Sequence, residues 1–483
     1  MIDLRPPFYV IGLLTVLLGA SMIMPLTLDF IDDDPNWRAF ALSAFITILS
    51  GAAMALTCKT RAGQGLTLQQ TFILTVFSWA LLPVFGALPF MLGAPGASAA
   101  DAYFEAMSGL TTTGSTVFTG LDALPPAVNL WRAELQWMGG LGIVVVALGF
   151  LPAMQVGGMQ IFRSESFETF GKVLPRAGEI AASISWLYAA LTALTAAAYA
   201  AAGQSAYDSV VHAFTTISTG GFATSDESFG DLGAASEYVA VVGMTVASLP
   251  FVRLIQLASG EAEPIWRDKQ VRAFLAIMAT ITLVITFWIM SMGVITDPEL
   301  AFRKALFNAT SVLTGCGYAS ADYNAWGPFP AAIIFIAGMI GGCAGSTCCS
   351  VKVFRYQIVF AAIAAHIRRI HSPHGVFRPR YEGRVVDDEL FGSVMSFMFM
   401  FFLTLGFVAV ALGMMGYDTV TAVSGAATAL ANVGPGLGDI IGPAGNFAPL
   451  SDSAKWLLSA AMLVGRLELV SVYVLFTVAF WRK

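Results

Sequence analysis

Charged side chains are scarce in this chain, and their scarcity argues against a soluble protein. Only 12% of the 483 residues are Asp, Glu, Lys or Arg, whereas 57% are hydrophobic. Soluble domains usually carry about a quarter charged residues. A lysine-rich face and zinc-finger spacing are also missing, so nothing supports binding to nucleic acid. The composition therefore indicates a protein embedded in a lipid bilayer.

Cysteine is rare as well, and the five cysteines do not suggest a disulfide framework. Their number is odd, and Cys343, Cys348 and Cys349 lie within one apolar stretch. Adjacent cysteines are poorly spaced for tetrahedral zinc, even with His366 nearby. The HExxH, GxSxG and paired Asp-Asp patterns that a membrane-embedded enzyme would need are missing. We therefore expect no catalytic residues and no organic cofactor.

Long apolar runs are abundant, and they predict the fold class. Each run has about twenty residues, which is the length that crosses a bilayer as a helix. We predict an all-α integral membrane protein with ten spans. The runs lie near residues 8–29, 38–57, 70–93, 129–151, 180–202, 236–259, 271–293, 328–365, 391–415 and 454–480.

Two of these runs need separate interpretation. The first precedes an acidic stretch at residues 32–34 without a small-residue cleavage site, so we predict an uncleaved span. The eighth, 328–365, is too long for one straight span and contains Gly341, Gly342 and Gly345. Glycines weaken a helix, and a break at membrane depth is tolerated only where the backbone faces protein or a water-filled cavity.

The basic residues predict the orientation of the spans. If both termini are cytoplasmic, most Lys and Arg residues of the connecting loops fall inside. Those that fall outside are Arg38, Arg132, Arg303, Lys304 and Lys455. Because basic residues are enriched in cytoplasmic loops, we expect a multi-pass protein of the cell (inner) membrane with both termini cytoplasmic.

Four shorter segments between the spans form an internal repeat. They cover residues 100–116, 204–222, 299–318 and 417–437. We align them on Gly114, Gly221, Gly317 and Gly434. All four have alanine eight residues before this glycine, a hydroxyl residue six before it and an aliphatic residue four before it. The pattern predicts a short amphipathic helix followed by a few residues that end in glycine.

The repeat has a chemical consequence. Glycine can take a positive φ, which lets successive carbonyl groups point the same way. Four such segments around one axis can form rings of carbonyl oxygens that replace the water shell of a cation, and the C-terminal ends of the helices add partial negative charge. Helix packing through small residues would explain one such segment, but it does not explain four at equivalent places.

With these motifs, the sequence resembles the Trk/Ktr/HKT superfamily of potassium transporters, and most closely the bacterial TrkH/TrkG type of pore subunit. The resemblance covers nearly the whole chain. The filter motifs that match are Thr111-Thr112-Thr113-Gly114, Ser218-Thr219-Gly220-Gly221, Thr314-Gly315-Cys316-Gly317 and Asn432-Val433-Gly434. Further matches are Gly341-Gly342, Gly345-Ser346-Thr347, Lys352 and Gly465-Arg466-Leu467-Glu468.

The resemblance implies an architecture and a set of partners. Two leading spans would be followed by four span–pore-helix–span units around one pore. The units would cover residues 1–66 (the leading spans), 67–160, 161–262, 263–372 and 373–483. The resemblance also implies a homodimer and a cytoplasmic TrkA-type nucleotide-binding regulatory subunit.

The resemblance further implies potassium uptake through the four filter motifs, which would bind the ion. A gate would consist of Gly341, Gly342, Gly345, Ser346, Thr347, Lys352 and Arg466. Glycine at all four filter positions favours potassium over sodium in this superfamily. A sodium or mixed sodium–potassium pathway, with or without proton coupling, remains the alternative.

The chain departs from the family pattern in two places. Gly315 and Cys316 stand where threonines are more usual. Selectivity survives this change if backbone carbonyls bind the ion, and the alternative is an altered discrimination between ions. Cys348, Cys349 and Ser350 stand where further glycines are usual, which bears on how freely the loop moves.

Two charges fall inside predicted membrane regions. Arg466 lies within the last apolar run, where a charge is costly and normally faces a cavity or a partner. By resemblance it would line the pore below the filter and oppose leakage; the alternative is a structural ion pair with Glu468 or another acidic group. Lys352 would end the gate or, equally, extend to the cytoplasmic interface.

Charges near the ends of the spans have weaker interpretations. Asp101 and Glu105 begin the first repeat segment and either concentrate cations at the outer mouth or lie on an ordinary solvated surface. The same alternatives hold for Asp226, Asp322 and Asp439. The basic stretch 366–384 would meet anionic lipid or a partner protein.

Overall fold

The computed structural model describes residues 2–59, 66–149, 154, 157–159 and 177–482. These residues are overwhelmingly helical. Three helices come first, namely α1 (Arg5–Ser21), α2 (Ile23–Ile31) and α3 (Trp37–Thr57). α1 and α3 pack closely because glycines face each other: a Cβ on Gly12 would lie 2.8 Å from the carbonyl oxygen of Gly51. Such contacts between small residues are typical of helices packed in membranes.

The remaining helices follow one order four times: a long helix, a short helix that ends at a glycine segment, and a second long helix. The first set is α4 (Leu68–Gly86) with α5 (Leu88–Leu92), then α6 (Ala99–Leu110) and α7 (Pro126–Gly149). The second is α8 (Ala177–Ala201), α9 (Ala206–Ile217), α10 (Ala234–Ala247), α11 (Phe251–Ala258) and the short α12 (Glu263–Arg267).

The third set is α13 (Lys269–Ser291), α14 (Pro298–Thr314), α15 (Pro328–Ile340) and α16 (Val353–His371). The fourth is α17 (Asp388–Met414), α18 (Thr419–Ala431), α19 (Gly438–Ile441), α20 (Asp452–Arg466), α21 (Val470–Tyr473) and α22 (Val478–Trp481). Single 3₁₀ turns occur at Leu121–Ala123, Tyr323–Trp326 and Val474–Phe476.

The lengths and composition of these helices fit a membrane. Among the described residues, six helices are long and apolar enough to cross it, and two bent helix pairs raise the number to eight. Their outer faces carry large exposed apolar side chains, for example Phe287 at 76% and Phe407 at 68% exposure. Contiguous apolar surface of this kind is unfavourable in water and marks contact with lipid.

Three of the second long helices are broken, whereas the sequence predicted only one break. Residues 341–352 separate α15 from α16, as expected from the glycines. The predicted spans 236–259 and 454–480 are bent in the structure: α10 and α11 meet at 100°, and α20 meets the helix that follows it at 106°. Pro250, which cannot donate to a helix, precedes α11. At the other bend Glu468 and Leu469 have φ values of 62° and 46°.

The predicted helical class is confirmed, and the described residues contain one short strand pair besides the helices. Two antiparallel strands of two residues each, β1 (Arg380–Tyr381) and β2 (Arg384–Val385), lie at the end of the basic stretch, with Arg380 paired to Val385. Glu382 and Gly383 form the turn, and both have positive φ, as tight hairpin turns require.

Candidate functional site

The four short helices begin and end at residues that the sequence specifies. Ser98, Ser205, Asp297 and Asp418 precede them, and each side chain accepts hydrogen bonds from backbone N–H groups of the first turn. The helices stop where the chain turns into the left-handed region. This happens two residues before each aligned glycine, at Thr112 (φ 50°), Thr219 (φ 51°), Gly315 (φ 76°) and Asn432 (φ 52°).

The aligned glycines also have positive φ, and they contact one another in a cycle. Their φ values are 84° at Gly114, 82° at Gly221, 89° at Gly317 and 102° at Gly434. A Cβ on each would press against the carbonyl oxygen that precedes the aligned glycine in the next segment. The oxygens met are those of Gly220, Cys316, Val433 and Thr113, in that order. At Gly434 this separation would be 2.9 Å from the Thr113 oxygen, and at the other three it would be shorter.

This cycle closes from the fourth segment back to the first, so the segments encircle one axis. Each ring glycine is therefore required twice: its φ disfavours a side chain, and a neighbouring carbonyl occupies the place of a Cβ. Four backbone carbonyl oxygens in a closed ring are the kind of ligand set that replaces water around an alkali cation.

Side-chain hydrogen bonds join neighbouring segments. Between the fourth and the first, Asn432 donates from Nδ2 to Thr113 Oγ1 at 2.9 Å, and Ser115 Oγ donates to the Gly434 oxygen at 2.8 Å. Between the third and the second, the Tyr318 hydroxyl lies 3.2 Å from Thr216 Oγ1. These bonds connect the fourth segment to the first and the third segment to the second directly.

The departure at Cys316 is explained by its surroundings. Its side chain is fully buried in a cluster that contains Phe229, Phe307 and Tyr318, while its carbonyl oxygen takes part in the ring. A thiol fits an aromatic cluster better than a hydroxyl, which would need a hydrogen-bond partner there.

All four ring glycines line one polar cavity of about 220 Å³ that opens to solvent. Asp226 also lines it, and its carboxylate accepts hydrogen bonds from the N–H groups of Gly120 at 2.7 Å and Leu121 at 3.1 Å. Asp226 therefore both fixes a loop and places negative charge at the cavity.

The expectation for Glu105 needs correction, whereas the Asp101 side chain is 28% exposed at the surface. Glu105 is fully buried and bonded to Arg132 Nε at 2.8 Å, so it is neither a solvated surface residue nor a carboxylate facing the cavity. Asp101 is paired with Lys455 Nζ at 2.5 Å. These pairs also show that Arg132 and Lys455 have acidic partners. An ion pair neutralises the charge that would attract cations, because opposite charges at contact distance cancel at longer range.

The glycine loop, residues 341–352, lies on the other side of the ring from the cavity. Thr219, two residues before a ring glycine, donates from Oγ1 to Thr347 Oγ1 at 3.2 Å. The loop is also anchored at the first bend, where the Phe251 N–H donates to the Gly345 oxygen at 2.9 Å. Gln270 Oε1 accepts from the Ala344 N–H at 3.0 Å. The loop is thus packed against the ring and against the second and third sets of helices.

Arg466 ends α20 and contacts this loop. It is 3% exposed, and its Nη1 donates to the Thr347 oxygen at 3.2 Å and to Cys349 Sγ. In the described structure its Nε has no hydrogen-bond partner. The alternative of an ion pair with Glu468 is wrong, because Glu468 follows the bend and faces other cations.

Glu468 forms ion pairs with two basic side chains, one at the end of the loop and one in the helix that follows the loop. Lys352 Nζ donates to Oε1 at 2.8 Å, and Arg355 Nη2 donates to Oε2. Lys352 is 5% exposed and Arg355 is fully buried, so the interpretation of Lys352 as an interfacial lysine is wrong. Arg355 also donates from Nε to the Gly157 oxygen at 2.8 Å. Arg355 was not predicted as part of the site, although its position three residues after Lys352 was a usable signal.

Gln136 is a second site residue that was not predicted from the sequence. Its Nε2 donates to the Gly220 oxygen at 2.6 Å, and its Oε1 accepts from the Phe222 N–H at 3.1 Å. A fully buried glutamine within an apolar run is itself a signal, because an amide at membrane depth needs partners.

Comparison with known proteins places this architecture. The family model "TrkH: Cation transport protein" matches residues 37–482. The chain belongs to the TrkH family of cation transport proteins. It is 41% identical over 480 residues to "Trk system potassium uptake protein TrkI" of Halomonas elongata, covering 99% of this chain and 97% of that one. It is 33% identical to TrkH of Escherichia coli K12, covering 98% of both chains.

A solved structure agrees with the TrkH family assignment. The crystal structure of the potassium transporter TrkH from Vibrio parahaemolyticus aligns with a TM-score of 0.92 at 32% identity, covering all of both chains. The TrkH fold therefore extends over the whole chain, and the protein is a multi-pass membrane transporter, in agreement with its apolar helices.

Proposed function

We propose that this protein takes up potassium ions across the cell membrane, as the transmembrane subunit of a Trk-type system. The closed ring of four glycine segments, opening into one polar cavity, carries the proposal. The names of the relatives support potassium as the ion, since those at 41% and 33% identity are called Trk system potassium uptake proteins.

The potassium filter in this proposal consists of the four glycine segments. Its residues are Thr111, Thr112, Thr113, Gly114, Ser218, Thr219, Gly220, Gly221, Thr314, Gly315, Cys316, Gly317, Asn432, Val433 and Gly434. Backbone carbonyls bind the ion, and the side chains hold the backbone. The buried Cys316 side chain supports this division, since the thiol packs among aromatic rings.

The gate in this proposal is the glycine loop with Arg466. Its residues are Gly341, Gly342, Gly345, Ser346, Thr347, Lys352 and Arg466. The loop packs against the second glycine segment, and the guanidinium group of Arg466 lies on the loop. A positive charge on the ion path raises the energy of a passing cation, and displacement of the loop would lower that barrier.

The wider arrangement is part of the same proposal. Ten spans, eight of them in four units at 67–160, 161–262, 263–372 and 373–483, surround one pore after two leading spans at 1–66. The protein is a homodimer in the inner membrane of the cell, and both of its termini lie in the cytoplasm. A TrkA-type subunit acts on the cytoplasmic face, where Arg368, Arg369 and His371 lie in the exposed last turn of α16.

Ion uptake by cells that lack their own potassium systems tests the proposal. We expect growth on low-potassium medium and uptake of rubidium as a potassium substitute. Sodium flux without rescue, from protein that reaches the membrane, would favour the sodium or mixed pathway. Flux that depends on external pH at constant potassium would show proton coupling.

A further inference from the structure

The residue before each ring glycine shows one irregularity. Thr113, Cys316 and Val433 each have a buried side chain at this position, whereas the second segment has Gly220. The space behind Gly220 is filled from another helix. A Cβ on Gly220 would overlap the Gln136 side chain, which comes from α7. Gln136 thus occupies the place of a missing filter side chain.

The amide of Gln136 bonds the backbone on both sides of a ring glycine. It donates to the Gly220 oxygen at 2.6 Å and accepts from the Phe222 N–H at 3.1 Å. Only one orientation of the amide satisfies both groups, because the carbonyl needs a donor and the N–H needs an acceptor. Gly221 lies between the two bonds. This pair of hydrogen bonds, which we call the Gln136 clamp, therefore sets the direction of the peptide groups on both sides of Gly221.

The helix that presents Gln136 is itself fixed against the second segment. Arg132, Gln136 and Gly140 are spaced by four residues and therefore share a face of α7. Arg132 donates from Nη1 to the Ala223 oxygen at 3.0 Å. A Cβ on Gly140 would lie 2.9 Å from Ser218 Cα, so the helix backbone approaches the segment closely there. The clamp is therefore held rigidly at both ends.

We propose that Gln136 is a positioning residue that determines the selectivity of the potassium filter at its second segment. The inference rests on the proposed potassium function. The Gly220 oxygen belongs to the carbonyl ring that contacts Gly114. The ion is selected either by the size of the site or by the strength of the carbonyl dipoles, and in both cases the carbonyl ligands must keep their orientation. Without the amide, this carbonyl is free to rotate and follow a smaller ion.

The test compares Gln136→Met with Gln70→Met in proteoliposomes, using rubidium and sodium influx. Methionine is similar in length to glutamine but makes no amide hydrogen bonds. Gln70 is a matched control, since it is buried, accepts from the Thr67 N–H and donates to the Asp3 oxygen, both at 2.9 Å. We expect the rubidium-to-sodium ratio to fall about tenfold in Gln136→Met, the size expected for losing these hydrogen bonds, and to stay at the wild-type value in Gln70→Met.

An unchanged ratio in Gln136→Met, or an equal fall in Gln70→Met, overturns the inference. If Gln136→Met does not assemble, Gln136→Leu serves for the same measurement, because leucine has neither the donor nor the acceptor. A wild-type ratio in that variant also overturns the inference. A wild-type protein that transports no rubidium would instead refute the proposed function.

Discussion

Replacing Glu468 by glutamine is the sharpest test of how the glycine loop is held. Glu468 is 4% exposed and is the shared partner of Lys352 and Arg355. Glutamine keeps the size of the side chain but leaves two buried cations without a counter-charge. Removal of one member of a buried ion pair typically costs about 3–5 kcal/mol. Because Lys352 ends the loop, we expect loss of stability together with higher resting flux.

Purified protein in detergent, heated and then analysed for the fraction that remains monodisperse, measures the stability of Glu468→Gln. Glu299→Gln is the control, because the Glu299 side chain is 55% exposed and pairs with Arg303 at 3.0 Å. Such surface pairs contribute about 0–1 kcal/mol. The double variant Glu468→Gln/Lys352→Met should recover part of the loss, since one uncompensated charge is removed. Equal melting temperatures for Glu468→Gln and Glu299→Gln would refute this account of Glu468 and its two cations.

Three further predictions concern the ring, the loop and the buried ion pair of the first set of helices. Gly221→Ala should lower the rubidium-to-sodium influx ratio, because the new Cβ meets the Cys316 oxygen. Gly203→Ala is the control: Gly203 also has a positive φ, 97°, but a Cβ there would meet no atom within 4 Å, so the ratio should not change. Arg466→Ala should raise rubidium uptake through normally expressed protein, since the barrier charge is gone, and unchanged or lower uptake would contradict the gate. Glu105→Gln should lower the melting temperature, because buried Arg132 loses its partner at a cost of about 3–5 kcal/mol; a stable variant with weaker, salt-sensitive potassium uptake would instead support a cation-attracting role.

The surroundings of Arg466, Glu468 and Lys352 show which features follow from local sequence and which depend on tertiary contacts. The sequence predicted a break near Gly341 because consecutive glycines weaken a helix wherever they occur. It did not predict the bend at Glu468, where no glycine or proline marks the left-handed backbone. The Glu468 carboxylate at that bend is bonded to Lys352 and Arg355, which lie more than a hundred residues earlier in the chain. Residue spacing alone could exclude a pair between Arg466 and Glu468 on a continuous helix, but it could not identify the real partners.

The sequence by itself determined the helical membrane class, the four aligned glycines and the loop at Gly341, because each depends on composition, periodicity or local backbone preference. Only the tertiary structure decided how the glycines meet. The ring exists because each glycine lies against a carbonyl from another segment, about a hundred residues away in three cases and more than three hundred in the fourth. No local pattern encodes such contacts. The burial of Glu105 and the position of Gln136 behind Gly220 were likewise decided by packing, which gives a polar residue in an apolar run a partner from another segment.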